Sequence, residues 1–99
     1  MSKTTTTILE RVQEMTRQAR EREAEKLLTL PLVKEAISEE AGQGYSRAVI
    51  APVKPLDLTK TETVKATIAQ LQKEGFKVEW EVRLQPDNTS YQALIVSWN

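Results

Sequence analysis

The sequence predicts an α+β protein with the order helix, helix, strand, helix, strand, strand. Its expected core is a three-stranded antiparallel sheet of spatial order 1-3-2, with helices on one face and a long N-terminal helix. Three observations carry this. A capped helical stripe ends at Gly75. The hydrophobic period then changes from about 3.6 to 2 at Phe76. The closing run from Ser90 to Trp98 holds no charged residue.

The long helix is expected from Ile8 to about Leu28. Thr7-Ile8-Leu9-Glu10 fits a capping box, in which a threonine hydroxyl and a glutamate carboxylate satisfy each other's backbone amides, and no Gly or Pro follows until Pro31. Ile8, Val12, Met15 and Ala19 form a near-heptad stripe. From Thr16 to Lys26 the residues are almost all charged or small, with i,i+3 and i,i+4 pairs such as Glu14–Arg17 and Arg17–Glu21. Pro31 breaks the run and suits the first turn of a second helix, from about Pro31 to Ala41, whose core side is Val33, Ala36 and Ile37. Gly42-Gln43-Gly44 ends it. A short strand from Tyr45 to Ala51 follows, stopped by Pro52 and Pro55, and a linker runs from Pro52 to Asp57.

Thr59-Lys60-Thr61-Glu62 fits a second capping box, opening a helix with Val64, Ile68 and Leu71 on one stripe. Gly75 suits the left-handed residue after the helix. Leu71 and Phe76 then occupy the positions that touch in a Schellman motif. Phe76, Val78, Trp80, Val82 and Leu84 alternate with Lys77, Glu79, Glu81 and Arg83, which gives a strand with one apolar and one charged face. Pro, Asp and Asn between Gln85 and Thr89 mark a turn. The last strand, Tyr91 to Trp98, is apolar on both faces and is therefore placed in the middle of the sheet. In domain terms, residues 1–28 form the N-terminal helix, as an interaction arm or a docked helix, and residues 29–99 the sheet domain.

Composition narrows the function. Fourteen basic and fourteen acidic residues cancel, so no global field draws the chain to nucleic acid or an anionic membrane. With no cysteine and no histidine there is no disulfide, thiolate nucleophile, imidazole base or zinc ligand of those types. No catalytic residue, metal site or cofactor is expected, and the chain reads as non-enzymatic. No apolar run approaches the length of a membrane span, and no signal-peptide core is seen at the N-terminus, so a cytoplasmic protein is expected. Gly42-Gln43-Gly44 precedes a strand rather than a helix, the reverse of a phosphate loop.

Two readings stay open for the first helix. Either Ile8, Leu9, Val12 and Met15 complete the core, or they project and bind a protein partner or a second copy. The charged Thr16–Lys26 segment favours projection, because a docked helix should keep its stripe along its length. The alternative function is a nucleic-acid or nucleotide-binding regulator using Arg17, Arg20, Arg22 and Arg47. Glu21, Glu23 and Glu25 interrupt that basic surface and argue against nucleic acid as the partner.

The segments LQKEGFKV from Leu71 to Val78 and LIVSW from Leu94 to Trp98, within the pattern running from Val33 to Asn99, resemble small bacteriophage-encoded α+β proteins. The resemblance implies a phage origin, and with it a virion accessory or a host-directed factor in the virion or host cytoplasm. It carries no site residues.

Overall fold

The computed structural model describes residues 7–52 and 56–98. The threonine-rich lead-in before Thr7 and the middle of the linker, with Pro55, lie outside them. The elements are α1 (Ile8–Leu27), α2 (Leu30–Gly42), β1 (Arg47–Ile50), α3 (Glu62–Lys73), β2 (Lys77–Leu84) and β3 (Ser90–Ser97). The sheet order is β1-β3-β2 with both pairings antiparallel, as the uncharged third strand requires.

One sheet face carries the core. Ala48 and Ile50 from β1, Leu94 and Val96 from β3, and Val78 and Trp80 from β2 pack against Val33 and Ile37 of α2 and Val64, Ile68 and Leu71 of α3. Register explains the grouping: Ala48 and Val78 both pair with Val96, and Ile50 and Trp80 both pair with Leu94. Phe76 meets Trp98 edge-on, with ring centroids 6.3 Å apart, and closes the core at the end of the sheet where α3 hands over to β2.

The expected Schellman motif closes α3. The Phe76 amide donates to the Leu71 carbonyl at 3.0 Å and the Gly75 amide to Gln72 at 3.1 Å, with Gly75 at φ +100°. An added Cβ at Gly75 would meet nothing within 4 Å, so only backbone strain opposes one. Gly75→Ala should therefore destabilise the fold by about 1–2 kcal/mol, read as a shift in urea midpoint at unchanged m-value.

Two local expectations shift. The N-cap of α3 is Thr61, whose hydroxyl accepts from the Val64 amide at 3.4 Å, and not Thr59. Asp57 captures Thr59 instead, accepting from its amide at 3.0 Å and its hydroxyl at 2.6 Å. An Asx-type turn at Thr59, two residues before the N-cap, thus outcompetes the capping box. β1 is also shorter than the Tyr45–Ala51 run, because its neighbour β3 reaches Ser97 at Arg47.

Candidate interaction site

The site is built on α1, whose two halves have different surroundings. At its start the expected capping box is complete. The Glu10 amide donates to the Thr7 hydroxyl at 3.1 Å, and the Thr7 amide donates to the Glu10 carboxylate at 3.2 Å. The helix therefore satisfies its first amides without help from the body of the protein. Arg17 pairs with Glu14, Nε to Oε1 at 2.9 Å, and Gln18 donates to Glu14 at 3.1 Å. Residues 7–18 are all exposed.

The attachment lies in the C-terminal half. Ala24 is fully buried and Leu28 nearly so, with Leu27 packed beside them in the core. The buried Thr67 hydroxyl donates to the Leu28 carbonyl at 2.7 Å, joining the end of α1 to α3. Glu21 does not pair with Arg17. Its carboxylate accepts from the Glu62 amide and, at 3.1 Å, from the Thr63 hydroxyl, in the first turn of α3. An anion there meets both an unpaired amide and the positive end of the helix dipole.

The charged half is thus the docked half and the apolar half projects, opposite to the argument from the fading stripe. Small Ala24 permits close approach, and Glu21 is used as a helix cap rather than a solvent charge. The protein is correspondingly elongated. Its radius of gyration is 16.3 Å, against about 13 Å for a compact chain of this length.

Ile8, Leu9, Val12 and Met15 are 75, 63, 50 and 67 % exposed. Their stripe continues through half-buried Ala19 but does not continue onto the docked face, which is carried by Arg20, Ala24, Leu27 and Leu28. A second apolar exposure lies on β2. Val82 and Leu84, on the same sheet face as the core residues Val78 and Trp80, are 65 and 78 % exposed. The strand alternates as expected, but no helix among the described residues covers its last turn of the pleat. This exposure was missed because alternation reports which face a residue shares, not how far the covering helix reaches.

Two cavities lie beside these exposures. One of about 480 Å³ lies between α1 and the Asp57–Glu62 segment, with Val12, Thr16, Arg20 and Lys60 on its walls. The other, about 330 Å³, lies between Arg20, Leu56, Val82 and Gln92. Arg20 and Asp57 line both. The Arg20 Nε is buried and has no hydrogen-bond partner among the described residues. The hydrogen bonds from Thr59 hold the Asp57 carboxyl below its usual range, and the nearby Arg20 charge adds to this.

The four arginines are not gathered on one surface. Arg17 and Arg20 border the first cavity, whereas Arg22 is exposed about 140° round the helix from Arg17. Arg47 stands on the sheet face opposite the core, paired with Ser97 at the far end of β3 from the Ser90–Gln92 segment near Arg20. No group of three potential metal ligands occurs among the described residues, and no helix there is long and apolar enough to cross a membrane.

Comparison with known protein families, with characterised proteins and with solved structures gave no match for this chain.

Proposed function

We propose that this is a non-enzymatic interaction or assembly protein whose N-terminal arm, residues 8–18 of α1, self-associates or docks on a protein partner through Ile8, Leu9, Val12 and Met15. The observation that carries the reading is the exposure of all four side chains on a helix that is capped at its own start and held only by its other half. An isolated helical stretch of about 11 residues is marginal in water. Exposed aliphatic side chains on such an arm gain both burial and helix stabilisation from a partner. The bacteriophage resemblance adds a setting: a virion accessory or a host-directed factor.

The nucleic-acid alternative has less support, since Arg22 and Arg47 lie away from the cavity that Arg17 and Arg20 share, and Glu14 already neutralises Arg17.

The test is Val12→Glu, compared with the parent chain by light scattering and thermal unfolding. Association should weaken at least tenfold while the unfolding midpoint stays within about 2 °C, because Val12 is outside the core. A large fall in the midpoint with association unchanged would overturn the reading.

A further inference from the structure

Resting on that reading, we propose that the occupant of the arm's apolar face is a second copy of this chain. The two arms cross antiparallel about a twofold axis, and the tip of each reaches the open Val82–Leu84 patch of the other.

The geometry begins with α1 itself. At about 100° per residue, Glu21 faces α3 and Arg20, one step back, faces Val82 and Leu56. The stripe of Ile8, Val12, Met15 and Ala19 lies roughly another 100° round in the same sense. It therefore turns away from α3, on the side of the arm next to Arg20. Val12 belongs to the stripe and also lines the first cavity, which shares Arg20 and Asp57 with the second. Arg20 and Asp57 thus stand between the arm and the patch.

Spacing then sets the register. Ile8, Val12, Met15 and Ala19 alternate at four, three and four residues, the a/d spacing of a helix pair. Antiparallel pairing stacks Val12 on Met15 of the other copy and Ile8 on its Ala19, where the small side chain leaves room. Ile8 of one copy then sits one residue from the level of the other copy's Arg20, which lines the cavity that holds Val82. The flanking positions bring Arg11 opposite Gln18 and Leu9 opposite Thr16, so no like charges meet. With a formal net charge of zero, two copies have no long-range repulsion to overcome.

Area decides between arm-only pairing and the fuller arrangement. A buried aliphatic side chain removes roughly 60–120 Å² of apolar surface from water, so four that are half to three-quarters exposed offer on the order of 250 Å². A stable interface covers about 800 Å² per partner, a little over half of it apolar, or about 450 Å². Arms alone reach about half of this. Val82 and Leu84 add roughly 130 Å², and half-buried Ala19 in the seam with Leu56 at the rim brings the total close to requirement.

The chain has no cysteine, so introduced thiols report register without background. Full-length chains carrying Ile8→Cys and Ala19→Cys are mixed under mild oxidation, and Leu84→Glu is examined by light scattering. The expected results are a mixed disulfide between the two cysteine variants, little homodisulfide of Ile8→Cys, and at least tenfold weaker dimerisation of Leu84→Glu with unchanged circular dichroism. Abundant Ile8→Cys homodisulfide would mean parallel arms and overturn the arrangement. Loss of association with Val12→Glu but not with Leu84→Glu would discard the Val82–Leu84 contact and leave the arm's role standing. A parent chain that stays monomeric at hundreds of micromolar would overturn the second copy as occupant, leaving only a different protein partner for the arm.

Discussion

A chain that begins at Ala19 should fold cooperatively, whereas one that begins at Thr29 should not. The first lacks only the arm, none of whose apolar side chains belongs to the core. The second also loses Ala24, Leu27 and Leu28. It strips the Glu21 carboxylate from the start of α3 and leaves the buried Thr67 hydroxyl without its acceptor. Burying a side chain of leucine size contributes about 1.5–3 kcal/mol, and an orphaned buried hydroxyl costs about 1–3 kcal/mol. Two leucines, the hydroxyl and the helix cap together approach the roughly 5–15 kcal/mol that holds a domain of this size. Urea unfolding followed by circular dichroism should give a sigmoidal transition for the longer chain and a featureless drift for the shorter. A cooperative transition for the chain from Thr29 would mean that α1 is an accessory throughout, and the division of the helix at about Gln18 would be wrong.

That division was not legible in the sequence, although most of the fold was. The Schellman pair Leu71 and Phe76, the alternation from Val78 to Leu84 and the uncharged β3 led directly to the observed sheet order. Each is a local rule whose partner lies within a few residues or in the adjacent strand. What failed required long-range information. Glu21 looks like one more charge in a solvated run, and only the approach of α3, 41 residues away, gives it an amide to accept from. Thr59 satisfies the capping pattern as well as a sequence can, yet Asp57 two residues earlier offers it a competing bond. The exposure of Val82 and Leu84 depends on where α3 begins, at Glu62, relative to the end of β2. The candidate site was legible as residue types and spacing, but its anchoring was not.

The two faces of β3 give the sharpest energetic contrast in the sheet. Leu94 and Ile95 are neighbours of similar size and both are buried. Leu94 sits between Ile50 and Trp80 beneath the helices, fully enclosed. Truncating it leaves a void that rigid neighbours on every side cannot fill, so Leu94→Ala should cost about 3–5 kcal/mol, in the upper part of the range for buried leucines. Ile95 faces the other way, between exposed Val49 and exposed Glu79, and owes its burial to strand neighbours rather than to a covering layer. When it is shortened, those side chains and water can close over the gap. Only the transfer contribution is lost, and Ile95→Ala should cost about 1–2 kcal/mol. Equal losses from the two substitutions in urea unfolding would require the charged face of the sheet to be covered as well, and β3 would then lie between two packed layers instead of one.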